Sequence, residues 1–231
     1  MNNLNDIINK IEKEIDDKDK VREIALRYSR TIIINCRKAI QHLHQAHFKE
    51  AEELMQKASS KLAELYDATE NYPDLSNAGF VENAAQEFVE AHCFYNILQE
   101  KDLPDPDSIQ TTYTSYLQGL CDVIGELRRK SLDTVLNGEP KEAYRYLIIM
   151  EEIYDAILRF DYPSSLVPIK RKQDIARSLI EKTRGELAVA SCEQRIEHRT
   201  DEFRGLLDEM NKEKSNRAQR KKDDLDIDRI W

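Results

Sequence analysis

Two pairs of acids stand at helical spacing in this chain: Glu87 and Glu90 in QEFVEAHCF, and Asp122 and Glu126 in CDVIGELRR. A step of three or four residues places both members of a pair on one helix face. Like charges there repel, so a purely structural helix gains nothing by keeping them together. A divalent cation reverses that sign. Four carboxylates from two facing helices supply the hard oxygen donors that Mg²⁺ takes, and a carboxylate-held metal is one route to phosphodiester hydrolysis. Spacing alone does not decide the matter. In a chain with 44 Asp and Glu, such pairs arise often by chance. Solvated or ion-paired acids are then the commoner outcome, and Arg129 would suffice to neutralise Asp122 and Glu126.

The helices that must position these acids are legible from periodicity. Phe88, Ala91, Tyr95 and Leu98 form the main apolar face of a helix expected over about residues 81–100. Glu87 and Glu90 lie beside that face, on a stripe shared with Phe94 and Ile97. Apolar neighbours on both sides place the acids at the margin of buried surface, where a carboxylate pair needs a compensating cation or donor. On the next helix, capped by Asp107 or Ser108 and running to about Leu136, Leu120, Val123, Ile124 and Leu127 face the core. Asp122, Glu126 and Arg129 share the opposite side. Gly119 and Gly125 each weaken that helix by roughly 1 kcal/mol against alanine, and both would allow close helix approach.

Around this pair the chain reads as helix throughout. The 231 residues contain only six glycines and six prolines, with 40% apolar and 34% charged residues. So few breakers favour an all-α fold, a bundle of about six to seven helices. A short amphipathic start (Ile8, Ile11, Ile15) is interrupted by DDKDK, and a long helix follows over about 20–45. A second runs over about 49–68, and NYPDLSNAGF reads as a loop. A fifth extends from Pro140 to Arg159 or Phe160. The last begins between Leu166 and Lys170 and runs past Ala190. From about residue 196 the composition becomes mostly charged, which divides the chain into a helical domain over 1–195 and an extension over 196–231. The extension reads as partly helical or disordered, fraying over 211–226.

A net charge of −9 counts against a generic nucleic-acid or anionic-membrane binder, although a local basic patch survives in an acidic chain. Four scattered cysteines without a CxxC form neither a zinc ribbon nor a disulfide framework, and read as buried thiols in a reducing cytosol. No segment is apolar enough to span a bilayer, and the N-terminus is not a signal peptide. The expected location is cytoplasmic, with no membrane partner.

The helices AGFVENAAQEFVEAHCF and YLQGLCDVIGELRRKSLDTVLNGE resemble the translin family, and its translin-associated factor X (Trax) branch in particular. REIALRYSRTIIINCRKAIQHLH and YPSSLVPIKRKQDIARSLIEKTRGEL extend the likeness over roughly residues 20–187. The resemblance implies an all-α chain that assembles into a hollow shell, octameric by analogy. Translin-type chains bind single-stranded RNA and DNA. Trax-type chains carry an Mg²⁺-dependent endoribonuclease site facing the interior. The acids of that site correspond to Glu87, Glu90 and Asp122, with Glu126 as a neighbouring acid. Translin-type chains lack them, so their presence implies a catalytic subunit. The short DLPDPDS connection resembles compact prokaryotic-type members, which implies a homo-oligomer.

The expected chemistry is hydrolysis of single-stranded RNA (single-stranded DNA being a further ligand) with Glu87, Glu90, Asp122 and Glu126 as catalytic and metal-holding residues. Mg²⁺ is the expected cofactor, with Mn²⁺ as the alternative. Glu126 or Glu90 would orient or deprotonate the attacking water. Cations for the nucleic-acid backbone are Arg27, Arg30 and Arg37 on the first long helix, Arg128 and Arg129 beside the acids, and Lys170, Arg171 and Lys172 at the start of the last helix. His92 reads as a polar filler, and His42, His44 and His47 as surface or interface residues. Two other readings stand beside this one: a non-catalytic ring that binds single-stranded RNA or DNA, and a helical scaffold with no nucleic acid.

Overall fold

The computed structural model describes residues 3–227, with side chains through residue 214. Among the described residues there are seven helices and no strand: α1 Leu4–His44, α2 Phe48–Thr69, α3 Pro73–Ser76, α4 Gly79–Leu98, α5 Tyr113–Leu136, α6 Pro140–Ile157 and α7 Lys170–Ile227. The all-α expectation holds. The described residues divide into two compact units at Thr183/Arg184, within α7.

In the first unit, α1 packs on α2 and α4, α4 on α5, and α5 on α6. The shared core contains Ile32, Leu43, Leu65, Phe88, Phe94, Ile124 and Leu127, all fully buried. Burial of each such side chain contributes roughly 1.5–3 kcal/mol. On α4 both stripes reach the core, Phe88 and Ala91 from the main apolar face as well as the stripe that carries the acids. Phe94 and Ile97 are in the core, whereas Tyr95 and Leu98 are only half-buried. On α5, Val123, Ile124 and Leu127 face inward as their spacing predicts, whereas Leu120 is only half-buried.

The local differences from the sequence reading have physical causes. DDKDK does not interrupt α1. Its charges point to solvent, and Lys20 bonds Asp17 at 2.9 Å one turn back, a pairing that supports a helix. Pro73 does not hold its loop open but starts the single turn α3 from its first position. Neither Asp107 nor Ser108 caps α5. Both are used in a turn, where Asp105 accepts from the Asp107 N–H and from the Ser108 hydroxyl. Thr112 is the cap, its Oγ1 accepting the Ser115 N–H at 3.1 Å. Gly138, at φ +80°, takes the left-handed conformation that ends α5.

The second unit is the distal part of α7. The helix continues through residues 211–226, which the sequence reading expects to fray. That stretch is rich in Lys and Arg, both good helix formers. Arg204 pairs with Asp201 and His198 with Glu202 at helical spacing. No helix among the described residues is long and apolar enough to cross a membrane.

Cys36, Cys93 and Cys121 are buried, whereas Cys192 is exposed, contrary to the expectation that all four are buried. Burial pushes the thiols of Cys93 and Cys121 up to about 12. Cys36 is raised further, by burial and by the nearby charges of Glu87 and Glu90.

Candidate active site

Four helices meet at the acids. α4 carries Glu87 and Glu90, α5 carries Asp122 and Glu126, α1 supplies Arg37 and His44, and the first turn of α7 supplies Lys172. The two acidic helices lie against each other, as the sequence reading requires. The crossing is close at Gly119. A Cβ there would stand 2.7 Å from Val89 Cβ and 2.8 Å from the Gln86 carbonyl oxygen. Gly125 plays no such part, because nothing lies within 4 Å of its Cβ position.

Each acid has a different partner. Glu87 receives the Arg37 guanidinium, with Nη2 at 2.6 Å and Nε at 3.2 Å from Oε1. Asp122 receives Lys172 Nζ at 2.6 Å on both oxygens, and Gln86 Nε2 also donates to it. Glu126 Oε2 lies 2.5 Å from His44 Nε2. Glu90 has no hydrogen bond or ion pair among the described residues. Burial first, then the charges of Asp122, Glu87 and Glu126, push its carboxyl up to about 9, against the opposing pull of Lys172. Without a bound cation this favours the protonated form of Glu90 at neutral pH, close to the three other acids.

Glu87, Glu90 and Glu126 share a cavity of about 360 Å³ with Arg37, Gln41 and Arg129. A second cavity of about 380 Å³, with apolar lining from Ile97, Leu120, Ile149 and Ile153, contains none of the four acids. Among the described residues no three His, Cys, Asp or Glu side chains are placed to hold one metal ion together. Two of the four acids are held by Arg37 and Lys172 instead.

The basic residues fall into three groups. Arg37 and Lys172 are bound to the acids, while Arg128 Nη1 donates to Thr183 Oγ1 at 2.8 Å. Lys170 pairs with Asp161 at 3.4 Å, exposed to solvent. Arg27, Arg30, Arg129 and Arg171 are exposed, and of these only Arg129 lines the acidic cavity. His92 is a filler as expected. Its Nδ1–H donates to Phe88 O at 2.8 Å, its ring stacks on Phe88, and burial lowers its pKa.

His44 is not a surface residue. Its side chain is 5% exposed and its ring lies 5.0 Å from Phe94. The sequence reading also missed Gln86, which lies one position before Glu87. The available signal for His44 was its distance of seven residues from Arg37, two helical turns along one face of α1.

The family model for the translin family matches residues 2–184. The chain belongs to the translin family. An uncharacterized protein of Methanocaldococcus jannaschii is 34% identical over 189 residues, covering 81% of this chain and 82% of that protein. Two solved structures of AfC3PO superpose with TM-scores of 0.73, each covering 80% of this chain and 97% of its own. The crystal structure of AfC3PO is 32% identical and its complex with duplex RNA 30% identical. Apo-NeC3PO, at 20% identity and TM-score 0.68, covers 82% of this chain and 98% of its own, and shares the fold. The translin-family match ends at residue 184, so all four acids lie within it and the distal part of α7 lies beyond it.

Proposed function

We propose that this chain is a Trax-type member of the translin family: an Mg²⁺-dependent endoribonuclease that cleaves single-stranded RNA and works as a homo-oligomer. The observation that carries this reading is the meeting of Glu87 and Glu90 with Asp122 and Glu126 across the α4–α5 contact, where burial first and the three neighbouring acids second push Glu90 up to about 9. A fold has little reason to gather three acids around one uncompensated carboxyl. Such perturbed groups in a cavity mark functional sites. The likeness to AfC3PO, a protein crystallised with duplex RNA, supports RNA as the ligand class.

The donor chemistry fits magnesium. All four groups are carboxylates, and Mg²⁺ keeps several waters and is held by only one or two protein carboxylates plus substrate phosphate. Glu90 and Glu126, which no Lys or Arg engages, are the first candidates to hold it, with Glu87 and Asp122 joining if Arg37 and Lys172 swing away. When bound, Mg²⁺ would polarise the scissile phosphate and acidify an attacking water. The chain's own residues do the rest. Arg129 at the cavity offers a cation to a non-bridging phosphate oxygen, and exposed Arg27 and Arg30 extend positive charge along α1. A cation bound by Glu90 would displace the proton that this carboxyl holds in the metal-free chain.

The test uses the full chain on labelled single-stranded and duplex RNA, in Mg²⁺ and in EDTA. Glu90→Ala and Asp122→Ala are each expected to lower cleavage by on the order of 100-fold, while filter binding of RNA persists. Cleavage by both variants at the parental rate, or cleavage that survives EDTA, removes the site assignment. The second reading is a non-catalytic RNA-binding ring. It is favoured by the two ion pairs that already neutralise Glu87 and Asp122, and it would show as RNA binding with no cleavage in either buffer.

A further inference from the structure

Among the four acids, the means of restraint differ in kind. Arg37 and Lys172 hold Glu87 and Asp122 with obligate cations, so each bond also cancels a negative charge. Glu126 is held by an imidazole. A histidine Nε2–H donates whether or not the ring is charged, so this bond can fix the carboxylate and leave its charge intact. It engages Oε2 at 2.5 Å, and among the described residues no hydrogen bond engages Oε1. Glu126 also lines the acidic cavity, where its side chain is 24% exposed.

The imidazole is itself enclosed. It is buried against Phe94, and its Nδ1 is a buried atom without a hydrogen bond, 3.9 Å from Asp133 Oδ2. A buried ring packed on Phe94, with its other nitrogen on a cavity-lining acid, restricts the three side-chain torsions that a glutamate would otherwise sample. Metal ligands held by such outer partners lose roughly 10–100-fold in affinity when the partner is removed.

We infer that His44 is the positioning residue of this site: it fastens one oxygen of Glu126 so that the other is presented to a divalent cation in the cavity. This rests on the proposed metal-dependent site, and the experiment separates the two.

Mn²⁺ binding to the full chain is measured by calorimetry for the parent, Glu126→Ala, His44→Leu and His44→Gln. The expected pattern is loss of Mn²⁺ affinity by about 10–100-fold in His44→Leu, with most of it recovered in His44→Gln, whose amide restores an N–H donor. A parent that binds no Mn²⁺ removes the metal-site reading and this inference with it. A parent that binds, a Glu126→Ala variant that does not, and a His44→Leu variant that binds like the parent would overturn the role of His44 alone. Should His44→Leu fail to fold, ¹⁵N resonances of the parent imidazole decide. They are expected to shift when Mg²⁺ is added, and an unchanged spectrum overturns the inference.

Discussion

The two glycines of α5 sit six residues apart and face opposite conditions. At Gly119 the helix is pressed onto α4, with Val89 and the Gln86 carbonyl where a side chain would be. At Gly125 there is open space. Between them lie Asp122, bound to Gln86 and Lys172 near the tight crossing, and beyond them Glu126, on the cavity. The contrast separates two tasks. The tight contact sets the spacing of the helices and contributes no chemistry. The acid-lined region places an uncompensated carboxyl in a poorly solvated setting, which costs stability, and that is where a cation or a substrate has something to gain.

The largest effect should come from the acidic region. Glu90 binds its proton far more tightly in the folded chain, up to about 9, than at its ordinary value of 4.5. Its contribution to stability is therefore fully present below pH 4.5, falls as pH rises through neutrality and levels off above about pH 9. Glu90→Gln cannot ionise. In EDTA it should match the parent near pH 4.5 and exceed it increasingly up to pH 9, with a slope of at most about 1.4 kcal/mol per unit of pH. Urea denaturation at several pH values reads this directly, and a gap that does not widen with pH would mean that Glu90 is ionised in the fold.

The next effect comes from the tight crossing. Gly119→Ala should destabilise the chain by about 1–3 kcal/mol at every pH, because backbone and Val89 must both shift. It should also separate Gln86 from Asp122. An unchanged melting temperature would show that the helices can part without loss. The smallest effect is at the other glycine. Gly125→Ala meets nothing within 4 Å and removes a weak helix former, so it should gain up to about 1 kcal/mol. Opposite signs at the two positions are what the contrast demands, and equal signs would end it.

Sequence pattern carried the helices well because so few breakers leave little alternative to an all-α chain, and because Pro140 and Asn137-Gly138 mark their junction so clearly. It failed at DDKDK, where charge density resembles a break but solvent-facing charges at helical spacing continue a helix. It failed again at the start of α5, where three candidate caps compete within six residues and only the turn built on Asp105 decides among them. At the site, the acids were legible because each pair is local to one helix. The partners were not. His44 is 82 positions from Glu126, and no periodicity links them. Lys172 was recognisable as a cation, but its attachment to Asp122, 50 positions away, exists only in the packed bundle.

The cysteines offer a practical dividend. Three thiols are buried and shifted away from the reactive thiolate, while Cys192 is open to solvent. A maleimide dye should therefore attach at one point per native chain, on the distal helix, with no engineering. Spectroscopists would have a reporter already in place, well separated in sequence from the chemistry they would want to leave untouched.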